Sequence, residues 1–293
     1  MNDEKKVFWV ASYPKSGNTL FRAILSSLFF TNDGIFSFKL FDTIKTFEKA
    51  TRLLFLKEKN PEDFKKLDNL EIISKYWLEM QTNKRLQIKE SFTFLKTHSA
   101  LLNLHGNNFT NSNFSRGLIY LIRDPRDIVV SWSKHANINL DDAIKFLINK
   151  DSYIYYNDAE KLGIENLIPR ALIASWNIHV KSWDFLKVPK MMIRYEDMIE
   201  NKKNVILNVI NFFEKNYGFA FNNIEEKIDN IILSTNFDKM RDFEEKEGFV
   251  EAPKHSKFFR VGKKNQWKEK LSLDQIKLIE ENFKDEMAKF NYL

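Results

Sequence analysis

The chain has 293 residues, 43% of them hydrophobic, with 27 phenylalanines and no cysteine. Disulfides, a thiolate nucleophile and cysteine-ligated metals are excluded, and the apolar content suffices for one large α/β domain or two small ones. The formal net charge of +6 suits an anionic ligand, but lysines dispersed over a solvated surface give the same balance.

The N-terminal MNDEKK precedes an apolar run too short and too badly flanked for a signal peptide, and no apolar stretch is long enough to span a bilayer. The expectation is a soluble, cytoplasmic protein. Val7 to Ala11 is an almost unbroken apolar run, the pattern of a strand buried on both faces of a parallel sheet. Leu20, Phe21, Ile24, Leu25 and Leu28 then recur as one face of a helix. The polar turn between them, Ser12 to Thr19, joins a strand end to a helix N-terminus, where free backbone N–H groups and the helix dipole favour an anion. Lys15, Ser16 and Thr19 add side-chain donors, so a phosphorylated ligand is expected there.

Laid over the phosphate-loop frame G-x-x-x-x-G-K-[ST], Gly17 and Thr19 match. Ser12 replaces the first glycine, and Asn18 stands where the lysine belongs. The lysine lies upstream, at Lys15, so the loop lacks the side chain that grips the ATP phosphates alongside Mg²⁺. The plainer reading of these residues is an ordinary strand–turn–helix.

Residues 31–90 read as helices and loops. Leu40 to Phe47 and Leu70 to Met80 carry helical spacing, and Asn60-Pro61 marks a break. Phe92 to Leu95 predicts a short strand ending in Lys96, Thr97 and His98. Ligands of a parallel sheet bind beyond its strands' carboxyl ends, and histidine is the side chain suited to take a proton near neutral pH. A surface histidine after a strand is the alternative.

Leu118 to Ile122 predicts another buried strand. Asp124 then caps a helix that begins at Pro125 and turns Ile128, Val129 and Trp132 inward. Arg123 leaves the strand's carboxyl end, and Ser131 lies on the helix. An acidic residue after an apolar strand also resembles the Mg²⁺-binding strand of nucleotide hydrolases, and Arg123 with Asp127 can be read as a surface ion pair of little worth. Residues 136–165 form a lid or an exposed excursion, helical at Leu140 to Ile148. From Pro169 a helical spacing runs through Ala171, Leu172, Trp176, His179 and Trp183, a packed face. Met191 to Ile193 predicts a fourth strand, and Val205 to Phe213 an amphipathic helix.

Together these stretches resemble the sulfotransferases that move a sulfuryl group from 3′-phosphoadenosine 5′-phosphosulfate (PAPS) to an acceptor. SYPKSGNT at 12–19 looks like the family's 5′-phosphosulfate loop, and FLKTHS at 94–99 like the strand end that carries its catalytic histidine. YLIRDPRDIVVSWSKH at 120–135 resembles the 3′-phosphate element, MMIRYEDM at 191–198 a following strand and turn, STNFDKM at 234–240 the adenine-side segment, and FFRVGKKNQWK at 258–268 the C-terminal Arg-x-Gly loop. The six matches run in family order from Val7 to Lys268.

The resemblance implies a single domain over 1–293 with an α/β fold: a central, mostly parallel β-sheet flanked by helices in a three-layer, P-loop nucleotide-binding-like architecture. It implies PAPS as donor, adenosine 3′,5′-bisphosphate as product and no metal. Lys15 would hold the phosphosulfate and offset charge on the leaving oxygen, while Ser16, Gly17, Asn18 and Thr19 cradle the 5′-phosphate. Arg123 and Ser131 would bind the 3′-phosphate with Arg260, Val261 and Gly262. Tyr195, Thr235 and Phe237 would line the nucleoside. His98 would be the general base on a hydroxyl or amine, with Lys96 close to the transferring group.

Leu20, Val261 and Asn265-Gln266 depart from the family's common residues. Its dimerisation pattern is degraded at Lys277, so no oligomeric state follows. The acceptor reads as a small molecule, glycan or lipid-type compound, with no nucleic acid partner and no transmembrane segment. A P-loop nucleotide kinase or NTPase, and a non-catalytic nucleotide-binding protein, are the alternatives.

Overall fold

The computed structural model describes residues 6–86, 88, 90–156, 170–249, 251–252, 257–260 and 262–293. Val261, Pro169 and residues 157–165 of the expected excursion lie outside the described residues. Among the described residues nine strands form: β1 (Val7–Ser12), β2 (Lys45–Thr46), β3 (Thr93–Thr97), β4 (Asn103–Leu104), β5 (Asn107–Asn108), β6 (Ser115–Ile122), β7 (Tyr153–Tyr155), β8 (Arg170–Leu172) and β9 (Lys190–Arg194). Five of them make one sheet in the order β2-β3-β1-β6-β9, with every neighbouring pair parallel. The other four pair as two antiparallel ribbons, β4-β5 and β7-β8.

The helices are α1 (Asn18–Phe30), four short ones α2 to α5 (Leu56–Lys59, Pro61–Phe64, Leu70–Ser74, Asn83–Leu86), α6 (Pro125–Ala136), α7 (Leu140–Ile148), α8 (Trp176–Ser182), α9 (Tyr195–Glu200), α10 (Lys202–Tyr217), α11 (Ile224–Ser234), α12 (Phe237–Glu247), α13 (Trp267–Lys270) and α14 (Leu273–Lys289). None among the described residues is long and apolar enough to cross a membrane.

Successive side chains of a strand point to opposite faces, and β1 shows why its sequence must be apolar throughout. Phe8 and Val10 join Phe94, Ile119, Leu121 and Ile193 on one face, covered by α1, α10 and α11. Trp9 and Ala11 join Leu95, Leu118, Tyr120 and Ile122 on the other, covered by α6, α8 and α14. This is the expected three-layer α/β architecture. The phenylalanines concentrate on the first face, where Phe213 of α10 meets Phe8, Phe29 and Phe94 edge-on at 5.1, 4.8 and 5.8 Å between ring centroids.

The chain passes from β1 to β2 and β3 on one side, then crosses to β6 and β9 on the other. The carboxyl end of β1 is therefore the topological switch point, where ligands of such sheets bind. Register makes the edge common to all strands: Ala11 stands beside Thr97 and Tyr120, and Ile122 beside Arg194.

Two helical expectations fail. Residues 40–47 form a 3-10 turn, Phe38–Thr43, and the edge strand β2, because Phe47 N–H and the strand pair with β3 rather than within the segment. The helix expected from Pro169 starts only at Trp176, since Arg170–Leu172 pairs with Tyr153–Tyr155 and Ala174 takes φ 58°. Leu70 to Met80 is helical only to Ser74.

Phe213 is fully buried in the aromatic cluster and remote in sequence from every site motif. Truncating such a ring costs its transfer energy plus that of a cavity, about 3–5 kcal/mol. Phe213→Ala should lower the unfolding free energy by that amount in urea titrations.

Candidate functional site

The loop after β1 reaches its shape through two residues in the left-handed region, Lys15 at φ 68° and Gly17 at φ 89°. Gly17 is required twice over, because a Cβ there would lie 2.5 Å from the Tyr195 ring. No side chain caps the N-terminus of α1, and its first turn holds no acidic residue. The first N–H groups of the helix thus remain available to an anion. Ser16 Oγ is buried without a partner among the described residues. Asn18 turns inward instead, its amide donating to Val10 O at 3.3 Å and Ser12 Oγ at 3.1 Å, so its side chain ties the loop to β1.

Lys15 Nζ lies 3.5 Å from His135 Nδ1 and 4.4 Å from the centroid of Phe258. Burial, reinforced by Arg260, Arg123 and Lys96, pulls its pKa down to about 7. Glu251 acts in the opposite direction, and a bound anion would likewise favour the charged form.

His98 sits one residue past β3, half-buried. Its Nδ1 lies 2.8 Å from Ser12 O, and a carbonyl only accepts, so Nδ1 carries the proton and Nε2 of the neutral ring keeps its lone pair. Burial, then the charge of Lys96, holds the imidazole well below its usual pKa. His179, fully buried, donates Nε2–H to His98 O at 3.0 Å and has Tyr120 OH 2.7 Å from Nδ1. His179 is therefore a core group, as expected, and also the brace behind His98.

On the other side of the loop, Arg123 donates to Lys15 O at 3.0 Å and Lys263 O at 3.3 Å, and its guanidinium lies 4.1 Å over the Tyr195 ring. Its Nε has no partner among the described residues. Arg260 reaches Ser131 O at 3.5 Å. Gly262 packs so closely on Phe237 that a Cβ would lie 2.2 Å from the ring. Thr235 lines the cavity but its hydroxyl is committed, donating to Ile231 O at 2.7 Å and accepting from Lys202 Nζ at 3.2 Å.

Asp124 is the helix cap expected of it, accepting from Arg126 N–H at 2.9 Å while its carboxylate pairs with the Arg126 guanidinium. Asp127 is not a surface partner of Arg123. It is 1% exposed, and although Arg123 lies 3.8 Å away, its carboxylate takes the N–H groups of Asn265 and Trp267 at 2.8 and 3.1 Å, docking the C-terminal loop on α6.

Of the residues expected from the sequence to form the site, all except Ser16 and the undescribed Val261 line one cavity of about 1110 Å³; Asp124, Asp127 and His179 support it from outside the lining. The cavity also holds residues that no sequence pattern marks. Glu251 accepts from Arg22 at 2.6 Å, Lys96 at 3.3 Å and Thr19 Oγ at 3.4 Å. Lys96 and Arg22 hold its carboxyl well below the usual range despite burial. Arg22, 3% exposed, has no other ion-pair partner among the described residues. Phe38, Phe41, Trp132, Tyr155 and Phe249 complete the apolar wall.

A parallel sheet that gathers an uncapped helix N-terminus, the basic side chains of Lys15, Arg22, Lys96, Arg123 and Arg260, and a neutral histidine at its switch point suits group transfer from an anionic ligand. The sulfotransferase domain model matches residues 5–291, and the chain belongs to the sulfotransferase family. Sulfotransferase 1B1 of Canis lupus familiaris is 27% identical over 288 residues, covering 95% of this chain and 82% of the relative. The amine sulfotransferase of Oryctolagus cuniculus is 23% identical over 295 residues, covering 96% and 81%. Among solved structures, retinol dehydratase in complex with androsterone and inactive cofactor PAP matches with a TM-score of 0.59 at 19% identity, covering 96% of this chain and 80% of that one. Mouse sulfotransferase SULT7A1 complexed with PAP gives 0.56 at 18%, covering 96% and 84%. The protein is a sulfotransferase.

Two outcomes follow from the electrostatics. Burial brings the pKa of Lys15 down to about 7 in the fold, from the ordinary lysine value of 10.5. The unfolded chain therefore binds the extra proton between those values, and this group adds stability as pH rises through that window. Lys15→Met should flatten that part of the stability–pH curve measured by urea midpoints. Glu251→Gln leaves Arg22 and Lys96 without their anion, which should lower the midpoint; sulfate should restore it more than chloride at equal ionic strength.

Proposed function

We propose that the protein transfers the sulfuryl group of PAPS to a hydroxyl or amine of a small-molecule acceptor, with His98 as general base. The observation that carries this reading is the tautomer of His98: Nδ1–H is spent on Ser12 O, which leaves the Nε2 lone pair available in a residue that lines the same cavity as Lys96. A kinase or NTPase reading loses ground because Asn18 is turned into the sheet and Asp124 is spent on capping α6 and on Arg126.

The residues present fit the donor. The partnerless Ser16 Oγ and Arg123 Nε, and the uncapped start of α1, are donors awaiting acceptor oxygens. Ser16, Gly17, Thr19 and the backbone of Asn18 would hold the 5′-phosphate; Arg123, Ser131, Arg260 and Gly262 the 3′-phosphate, which arginine can bind bidentately. Tyr195, Phe237 and Thr235 would flank the nucleoside. When bound, PAPS supplies an activated sulfuryl group whose S–O bond to the 5′-phosphate breaks, leaving adenosine 3′,5′-bisphosphate.

Transfer of this type resembles phosphoryl transfer, in which positioning and electrostatics dominate. Lys15 offsets charge on the departing oxygen, Lys96 draws the sulfuryl oxygens, and His98 Nε2 takes the acceptor's proton. The site residues run from Lys15 to Gly262, which supports reading 1–293 as one domain. The lining rings Phe38, Phe41, Trp132 and Tyr155 favour an acceptor with an apolar or aromatic body.

The test is a thermal-shift titration with adenosine 3′,5′-bisphosphate against ATP plus Mg²⁺. At a hundredfold over its dissociation constant, a ligand of the folded state alone adds about 2.7 kcal/mol. Stabilisation by the bisphosphate without metal is expected; stabilisation only by ATP with Mg²⁺ overturns the reading in favour of a kinase. His98→Ala should cut turnover by about 10²–10⁴-fold and leave bisphosphate affinity near that of the parent. Because the imidazole's pKa is depressed, the acid limb of kcat/KM should lie well below 6.5.

A further inference from the structure

Glu48 belongs to no motif in the sequence, yet it is a buried carboxylate, 6% exposed, against the turn that carries His98. It arrives there through the sheet. β2 pairs with β3 in the register Lys45 to Leu95 and Thr46 to Lys96, and Phe47 N–H continues the ladder onto Lys96 O at 2.9 Å. The next step along the edge brings Glu48 abreast of His98.

One carboxylate oxygen, Oε1, takes three donors from the residues flanking the histidine: Thr97 Oγ, Ser99 N–H at 3.2 Å and Ser99 Oγ at 2.8 Å. The opposite side of the turn is held as firmly. His179 donates to His98 O at 3.0 Å, and Trp183 Nε1 donates to Ser99 O at 3.2 Å. Burial raises the pKa of this carboxyl, its hydrogen-bond donors are hydroxyls and an amide, and Arg52 and Lys96 supply the nearby positive charge; placing it there is costly. The backbone on both sides of His98 is thereby fixed, and the only freedom left to the imidazole is rotation about its own side-chain bonds, which Ser12 O restrains.

From this geometry we infer that Glu48 is a positioning residue for the base: by spanning Thr97 and Ser99 it sets the direction in which His98 Nε2 enters the cavity. The inference rests on the reading of His98 as base. Among the described residues the Glu48 side chain hydrogen-bonds only those flanking His98, so its positioning effect is the part of its contribution that disappears when His98 is removed; the charge it shares with Lys96 would persist.

That difference supplies the test, a double-mutant cycle. Displacing a catalytic group by about 1 Å costs on the order of 10²-fold, so Glu48→Ala should lower kcat by about 10–100-fold with KM for PAPS and bisphosphate affinity little changed. Glu48→Gln keeps an accepting oxygen and should recover most of that loss. In the His98→Ala background Glu48→Ala should lose most of its effect. If Glu48→Ala disrupts folding, Ser99→Ala, which deletes one of the three donors to Glu48, the Ser99 hydroxyl, gives a smaller kcat loss that must vanish without His98. An equal loss of kcat in both backgrounds, or full turnover in Glu48→Ala, overturns the inference while leaving the base intact. Full turnover in His98→Ala alone instead removes the base reading itself, and the positioning role with it.

Discussion

The structure depends on crowding like charges at one edge of a sheet. Lys15, Arg22, Lys96, Arg123 and Arg260 all border one cavity, against Glu251 within it and Asp127 beneath it. Like charges about 4 Å apart repel by on the order of 4 kcal/mol at an effective dielectric of about 20. The fold offsets this in two visible ways: Lys15 gives up affinity for its proton, and the carboxylate of Glu251 lies against Arg22 and Lys96. Both responses are those of a site built for an anion more highly charged than one carboxylate. The core on either side of the sheet is what keeps the cations from dispersing into water.

Much of this is legible in the sequence because it is local. A strand buried on both faces must be apolar at every position, and Val7 to Ala11 and Leu118 to Ile122 are. A helix that binds an anion at its start needs small residues there and no acidic cap, and Ser16 to Thr19 satisfy that. Asp124-Pro125 announces the start of α6 for the same local reasons. Because parallel strands share a direction, recognising their ends also places Lys96, His98, Arg123 and Tyr195 at one edge before any packing is known.

The rest is hidden because it depends on partners far along the chain. The two residues of β2 exist as a strand only by pairing with β3, so their apolar spacing reads as helical. Arg22 lies in a helix whose other buried positions are mostly apolar or small, and nothing nearby in sequence explains a guanidinium there; its partner is 229 residues away. Asp127 has the right spacing for a local ion pair with Arg123, and that geometry is present, but its stronger partners are backbone N–H groups of the C-terminal loop. Asn18 was expected as a cradle for phosphate and its side chain instead secures β1, leaving its backbone at the site. In each case the pattern identifies the residue type while tertiary pairing decides its work.

This division separates the two halves of the reaction. In the proposed reading most groups that would face the donor come from strand ends and helix starts, with Arg260 and Gly262 added by the C-terminal loop. The aromatic wall proposed for the acceptor comes from a 3-10 turn at Phe38–Thr43, the ribbon residue Tyr155 and Phe249 beyond α12, all outside the five-stranded sheet. Loops carry specificity because they can change without disturbing a core. A rigid donor edge beneath an adaptable wall therefore lets the transfer chemistry stay constant while the acceptor's shape is set elsewhere. His98 follows β3 directly, its backbone carbonyl held by His179 and the residues on either side of it by Glu48.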